Sequence, residues 1–412
     1  MLISGASVAG PALAYWLRRY GFRTTVVEVA PALRGGGFAV DFRGAVHREV
    51  LERMGILDEI RRHATGGLPV RFIDASGRQV AGLPPEFAGG EVEVLRSELA
   101  RLLYEHSLGT DGETADEWGP ATEYVFGDSI ASLSETEQGV DVTFERGAPR
   151  TFDLVVGADG LHSTVRRLAF GPEERFVSHL GYYVAGWELP DGAADFRGPS
   201  MAYNEPGLFA SAGSTALDPD TTQAFCLFAS EELAYDRRNT EQHKQLIAQA
   251  FSGGGWRTAE LMASLRDAHD LYFDSISRVD VECWSTGRVV LIGDAAYGAT
   301  LGGMGTGSAI VGAYVLAGEL ARAEGDHRTA FTRYEQEIRD YVTGCQEGGQ
   351  HVGAFLAPTT QEAIDQRNAM LNDPAGLAAM LQAGEDISTD FTVRDYETAV
   401  RRTGRPPLAG AV

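Results

Sequence analysis

The sequence predicts a mixed α/β fold, and three observations carry that prediction. Apolar strands run into a glycine turn three times, at Gly5–Gly10, Gly157–Gly160 and Gly293-Asp294. Short runs with strand-like composition fill residues 176–230, and the chain beyond Gly325 has a helical pattern. We therefore expect a domain with a parallel sheet, a mainly β second domain and helices at the C-terminal end.

The first glycine turn has the form of a dinucleotide-binding motif. Leu2-Ile3 is the start of a strand, and Ser7 to Tyr20 is predicted to be a helix after the turn Gly5-Ala-Ser7-Val-Ala-Gly10. Gly5 allows the tight turn, Gly10 allows close packing of helix on sheet, and the free N–H groups of the first helical turn suit a pyrophosphate. The pattern predicts a Rossmann-like domain, although a glycine-rich turn without a ligand stays open at this point.

An acid follows at the expected distance. The second strand, Thr24 to Glu28, places a carboxylate 18 residues after Gly10. An acid at about this spacing accepts hydrogen bonds from the ribose hydroxyls of an adenosine and repels a 2′-phosphate. Ser7 stands where the usual motif has its middle glycine.

The second and third turns also carry acids. Asp159 ends one buried strand, where it either faces a ligand or only caps the next helix. Asp294 ends another, and the loop Gly302–Gly307, which includes Gly305, precedes an apolar helix predicted from Ser308 to about Ala323. A loop so rich in glycine lets backbone approach a planar ring. Together the three motifs indicate a site for FAD.

The order of these motifs resembles a known family. Gly-x-Ser-x-x-Gly, the element Arg96-Ser-Glu-Leu99, Gly-Ala-Asp-Gly and Gly-Asp-Ala-Ala extend over roughly the whole chain. This order is similar to the flavin-dependent monooxygenases of the p-hydroxybenzoate hydroxylase type, which include tetracycline-inactivating and polyketide-tailoring enzymes. The resemblance implies a glutathione-reductase-type FAD-binding domain interleaved with a β-sheet substrate domain.

The resemblance also implies roles for individual residues. The ADP half of FAD would lie on the first turn and its acid, the phosphates or ribityl chain at Arg96, and the ribityl hydroxyls at Asp294. Asp159 would face the cofactor and the transient path of NAD(P)H, and Arg43 would belong to a loop along the flavin. The cofactor-binding residues expected are Gly5, Ser7, Gly10, Glu28, Arg43, Arg96, Asp159, Asp294 and Gly305.

Three departures from the family pattern keep two functions open. Tyr297, Leu301 and Met304 stand where the family usually has His, Pro and Gln. One function is a monooxygenase that uses NAD(P)H and O2 on a large apolar aromatic or polyketide-like molecule of secondary metabolism. The alternative is a non-redox cyclase in natural-product biosynthesis that keeps FAD as a structural cofactor. His47, His179 and Tyr297 could act as bases, but no catalytic residue is assigned.

The substrate pocket is expected on the second sheet. A group of aromatic residues falls in or beside its predicted strands, so an aromatic-lined pocket is plausible, although each ring taken alone is more typical of a core. The group consists of Tyr182, Tyr183, Trp187, Tyr203, Phe209, Phe225, Phe228, Tyr272 and Phe273.

Domain boundaries follow from these patterns. We expect an FAD-binding domain over residues 1–170 with a β-hairpin at about 69–82, a β-sheet substrate domain over 171–278, a return to the FAD-binding domain over 279–345 and a helical segment over 346–412.

Composition restricts the partners and the compartment. The 412 residues carry a net charge of −23, which disfavours nucleic acid and anionic membranes and favours a small-molecule substrate. Three scattered cysteines with no metal spacing suit a reducing cytoplasm, and we expect no bound metal. The oligomeric state stays open.

Overall fold

A computed structural model describes residues 1–35, 38–85, 92–109, 120–190, 194–216, 218–302, 304–389 and 391–396. The first sheet has six strands in the order β17-β18-β11-β1-β2-β7, and its neighbours are parallel except for the antiparallel edge pair β17–β18. The strands are β1 (Leu2–Ser4), β2 (Thr25–Glu28), β7 (Glu123–Phe126), β11 (Val155–Gly157), β17 (Ser285–Thr286) and β18 (Val289–Leu291).

The register of this sheet brings the three glycine turns together. Leu2 pairs with Val155, and Val155 pairs with Val289, so β1, β11 and β18 run side by side in one direction. Their carboxyl ends therefore reach the same edge of the sheet, which is where open α/β sheets bind ligands. The predicted α/β fold with a parallel sheet is confirmed.

Several helices belong to the same domain as this sheet. They are α1 (Ala9–Arg19), α2 (Gly44–Met54), α3 (Leu57–Arg62), α4 (Arg96–Leu108), α5 (Thr164–Ala169), α8 (Asp294–Tyr297), α9 (Gly305–Arg322) and α10 (His327–Gly349). The helix predicted from Ser308 begins three residues earlier, because the N–H of Ser308 already donates to Met304 O at 2.9 Å. Gly305 and Gly307 thus lie in its first turn rather than in the loop.

Two small sheets accompany the first domain. One is the antiparallel pair of β3 (Ala39–Phe42) and β6 (Val92–Leu95). The other is a meander of β8 (Ile130–Glu135), β9 (Val140–Phe144) and β10 (Arg150–Phe152) that leads into β11.

The second large sheet has seven strands in the order β16-β12-β15-β14-β13-β4-β5. They are β4 (Val70–Ile73), β5 (Gln79–Leu83), β12 (Val177–Glu188), β13 (Met201–Glu205), β14 (Leu208–Ser214), β15 (Thr222–Ala229) and β16 (Tyr272–Val279). The hairpin predicted at about 69–82 is present as β4–β5. It extends this second sheet through the parallel pair β13–β4, in which Met201 faces Arg71, and not the first sheet whose span contains it.

The strand period of two sorts the predicted aromatic residues onto two faces. The outer face packs under helices α6 (Thr240–Ala250) and α7 (Thr258–Leu265), and it carries Tyr183, Trp187, Tyr203, Phe228 and Phe273. The inner face packs toward helices α11 (Val352–Leu356), α12 (Gln361–Asn372) and α13 (Pro374–Thr389), and it carries Tyr182, Phe209, Phe225 and Tyr272. Five of the nine rings therefore belong to the core between the sheet and helices α6 and α7, as the alternation of side chains along a strand requires.

A buried guanidinium fastens the C-terminal helices to the inner face. Arg367 in α12 donates to Phe355 O at 3.1 Å, to Leu356 O at 3.2 Å and to Asn204 Oδ1 on β13 at 2.9 Å, and it lies 4.0 Å from the ring centre of Phe72. Its burial lowers the pKa of the guanidinium to about 10. Because backbone carbonyls and an amide bind it, the helices are held over the sheet without a carboxylate partner.

The helices are not of the membrane-spanning kind. Among the helices of the described ranges, none has both the length and the apolar composition that crossing a bilayer demands.

Two helical glycines allow a matched test of packing. A Cβ on Gly318 in α9 would lie 2.2 Å from Cγ of Tyr396, whereas a Cβ on Gly344 in α10 would meet nothing within 4 Å. We expect Gly318→Ala to lower the free energy of unfolding by about 1–3 kcal/mol through overpacking. Gly344→Ala should raise it by about 0.5–1 kcal/mol, because alanine loses less backbone entropy. Urea unfolding of both variants measures this, and a neutral Gly318→Ala would contradict the packing.

Candidate cofactor site

The first glycine turn packs directly on the second. Gly5 has φ +105°, and a Cβ there would lie 2.5 Å from Ala158 O, next to Asp159. A Cβ on Gly10 would lie 2.0 Å from Gly5 O. Only glycine fits at both positions, so the turn stays close to the sheet and leaves the start of α1 open toward the shared edge.

The acid at the end of β2 lies against this turn. Glu28 Oε2 accepts the N–H of Ala6 at 2.8 Å, and Oε1 accepts the N–H of Ala30 at 2.9 Å. Arg34 is 3.7 Å away through Nη2. The carboxylate is thus oriented beside the start of α1, which is the arrangement that the sequence motif predicts for a ribose ligand.

Arg96 reaches the same turn from another element. It is the first residue of α4, and its backbone N–H donates to Phe38 O at 3.1 Å. Its Nη2 donates to Ser7 Oγ at 3.3 Å, and this is the one hydrogen bond that the described residues give to its side chain. Ser7 and Arg96, predicted separately, therefore stand together with guanidinium N–H groups available for an anion.

Asp159 is bonded by the protein itself. Its Oδ2 accepts from Ser4 Oγ and from the N–H of Val165, both at 3.1 Å, and Oδ1 accepts from Ser163 Oγ. Burial raises the pKa of this carboxyl, and the bonds from Ser163 and Val165 oppose the rise. Asp159 therefore fastens the second turn to β1 and to the first turn of α5, whose N-cap is Ser163.

Asp294 is the opposite case. It begins α8, and the described residues give its carboxylate no hydrogen bond. Burial raises its pKa, the positive charge of Arg96 opposes the rise, and Asp274 adds to it. A Cβ on Gly305 would lie 3.1 Å from Asp294 Oδ1, so this glycine keeps the acid's surroundings open. Asp294 is half-buried, and a carboxylate that the described residues do not bond is available to a ligand's hydroxyl groups.

Arg43 lies at the start of α2, where it forms hydrogen bonds with Asp41 and His47. Its Nε pairs with Asp41 on β3, and its backbone N–H donates to His47 Nδ1 at 3.3 Å. The structure gives this arginine an ion-pair partner within the protein. Its expected place beside a flavin stays a prediction.

The three residues considered as bases are packed into the protein. His47 is buried, which lowers its pKa to about 4, and its Nε2 lies 2.7 Å from the hydroxyl of Tyr341. His179 Nε2 bonds to Ser230 O at 2.9 Å. Tyr297 is buried with its pKa raised to about 12, and its hydroxyl accepts from Tyr334 at 3.1 Å. His47 and Tyr297 are thus buried and bonded within the protein, and no catalytic base is assigned.

The structure also shows a contact between domains that the sequence did not reveal. His162 lies between two acids, with Nδ1 3.2 Å from Glu173 and Nε2 3.2 Å from Asp274 on β16. Burial acts to lower its pKa, but these two acids outweigh burial and raise it. No sequence spacing signals this contact, because it forms only when β16 returns beside the second turn.

Comparisons with known proteins agree with this geometry. The model of a family described as FAD binding domain matches residues 1–346. An uncharacterized protein of Mycobacterium tuberculosis is 41% identical over 96% of this chain and 99% of its own. A flavin-dependent monooxygenase of Legionella longbeachae is 34% identical over 97% and 98%. The crystal structure of tetracycline destructase Tet(55) has 32% identity, covers 96% and 98% of the two chains and gives a TM-score of 0.80.

These matches define the class of protein. The chain belongs to the family of proteins with this FAD-binding domain, and FAD is its cofactor. Within that class it is an FAD-dependent monooxygenase of the p-hydroxybenzoate hydroxylase type. The resemblance inferred from the motifs is confirmed.

The bonding of Asp159 leads to a stability prediction. Removing a carboxylate that binds three protein donors should lower the free energy of unfolding by about 1–3 kcal/mol. We therefore expect FAD-free Asp159→Ala to unfold at lower urea than FAD-free wild type. Asp153→Ala, which removes an exposed acid just before the same strand, is the matched control and should be nearly neutral. Equal stability of the two variants would show that Asp159 has no structural role.

Proposed function

We propose that this monooxygenase uses NAD(P)H and O2 to transfer one oxygen atom to a large apolar aromatic or polyketide-like small molecule in secondary metabolism. The name of the 32% identical structure, a tetracycline destructase, supports a polycyclic substrate. The observation that carries the proposal is the half-buried carboxylate of Asp294, which no described residue bonds, beside Arg96 at the edge where three glycine turns meet. Small-molecule chemistry also suits a chain of charge −23.

The residues present fit FAD. Gly5, Ser7, Gly10 and Glu28 would hold the ADP half, because they combine an open helix start with an oriented acid. Arg96 would bind phosphate or ribityl oxygen, and Asp294 would accept hydrogen bonds from ribityl hydroxyls. Gly305 would give room beside that acid. Arg43 and Asp159 would contribute from the flavin loop and the second turn, with Asp159 acting mainly through the backbone that it fixes.

The overall reaction balances without a catalytic base from this chain. NAD(P)H and a proton supply two electrons and the hydrogen atoms, one atom of O2 enters the product, and the other leaves as water. FAD, when bound, supplies the electron transfer and the activation of oxygen. The chain's own part is to hold the substrate on an apolar face and to exclude water there. His47 and Tyr297 are buried and already hydrogen-bonded, so the proposed reaction assigns them no proton transfer.

The alternative function, a non-redox cyclase, rests on the departure of Tyr297, Leu301 and Met304 from the family pattern. Tyr297 has a packing explanation, since a Cβ on Gly312 would lie 2.1 Å from its hydroxyl oxygen and Tyr334 bonds to it. Leu301 packs with the inner-face cluster and Met304 with the core of the first domain. These packing contacts give no specific support to a cyclase.

Reduction of the flavin tests the proposal. The holoenzyme should be mixed anaerobically with NADH or NADPH, with and without tetracycline or the planar polyketide phenol emodin, while flavin absorbance is followed. We expect the flavin to bleach, faster with a bound substrate, and admission of air to give a product heavier by one oxygen atom. Protein stripped of FAD is the control. A product of unchanged mass formed without oxygen would overturn the proposal in favour of a cyclase.

A further inference from the structure

Three half-buried rings form an apolar wall on the inner face of the second sheet. Phe38 stands between the other two, with its ring centre 4.8 Å from that of Phe225 and 5.3 Å from that of Tyr272. A Cβ on Gly186 in β12 would lie 2.0 Å from the ring of Phe38, so this ring rests directly on the strand backbone. Phe38 also accepts the backbone N–H of Arg96 through its carbonyl, at 3.1 Å. The wall therefore continues into the cofactor site.

Tyr272 is the polar member of this wall. It lies on the edge strand β16 opposite Gly186, and it is half-buried. The described residues give its hydroxyl no hydrogen bond. Other tyrosines behave differently: the hydroxyl of Tyr183 accepts the N–H of Leu233 at 2.8 Å, and that of Tyr203 donates to Glu205 at 2.9 Å. The protein binds those two hydroxyls itself, whereas the hydroxyl of the half-buried Tyr272 is left available to a ligand.

The charges around Tyr272 place it at the cofactor end of the wall. Asp274, Arg96 and Asp294 all act on it electrostatically. Burial is the main cause that raises the pKa of its hydroxyl, so the group stays protonated and can donate. A single donor on an apolar aromatic wall is the pattern by which ligand pockets fix the orientation of a flat molecule.

We propose that Tyr272 is a specificity-determining residue, whose hydroxyl donates a hydrogen bond to a carbonyl or phenolic oxygen of a planar polycyclic substrate lying against Phe38 and Phe225. This inference rests on the proposed function and adds the substrate's orientation. The bond turns an oxygen-bearing edge of the substrate toward β16. A purely hydrocarbon ring system gains nothing from Tyr272, so the residue selects oxygenated polycycles.

Binding measured without turnover tests this role. Emodin and tetracycline should be titrated into oxidised holoenzyme without any reductant, and the change in flavin absorbance gives the dissociation constant. Tyr272→Phe removes only the hydroxyl. Tyr183→Phe is the matched control, because it removes a hydroxyl that the protein itself binds on the opposite face of the same sheet. Thermal unfolding and the FAD content of each variant show whether the fold and the cofactor are retained.

The expected result is a dissociation constant raised roughly 3- to 10-fold in Tyr272→Phe, which corresponds to one hydrogen bond, and almost unchanged in Tyr183→Phe. Unchanged binding in Tyr272→Phe overturns the role. Loss of FAD from Tyr272→Phe also overturns it, because the hydroxyl would then contact the cofactor. If neither emodin nor tetracycline changes the wild-type spectrum, the proposal of an oxygenated polycyclic substrate is wrong. Flavin bleaching by NAD(P)H then tests the proposed function separately.

Discussion

The close approach of the first two glycine turns is the constraint on which the rest of the site depends. Gly5 lies so near Ala158 that any side chain would collide with the backbone of the second turn. This contact fixes how β1 and β11 end relative to each other, and β18 follows by pairing with β11. One sheet edge thereby gathers Ser7, Glu28, Asp159 and Asp294 from segments that are far apart in the chain.

The two acids at this edge have different roles, and their hydrogen bonds show the difference. Both carboxylate oxygens of Asp159 accept hydrogen bonds, from Ser4, Ser163 and Val165. Its charge is therefore stabilised within the protein. Asp294 has Arg96 nearby as a charge and no donor among the described residues. A half-buried acid that the described residues do not bond is the basis of our proposal that Asp294 binds the cofactor.

Much of this could be predicted from the sequence, because the signals are local. The apolar helix predicted from Ser308 to about Ala323 is present as Gly305–Arg322, and the glycine turns predict the α/β fold. Non-local features were out of reach. The hairpin β4–β5 lies in the span of the first domain but joins the second sheet, which only its pairing with β13 reveals. Likewise, the sequence could not show that the protein's own donors bond Asp159 while the described residues give Asp294 no hydrogen bond.

The central claim is that Asp294 serves FAD and not the fold. The direct measurement is the affinity of FAD-free Asp294→Asn for FAD, together with its urea unfolding before FAD is added. We predict affinity weakened roughly 10- to 100-fold, as for the loss of hydrogen bonds to a charged group. Unfolding without FAD should be unchanged or shifted slightly to higher urea, because no described residue donates a hydrogen bond to this half-buried charge. Full FAD affinity, or a clear loss of stability without FAD, would contradict the account.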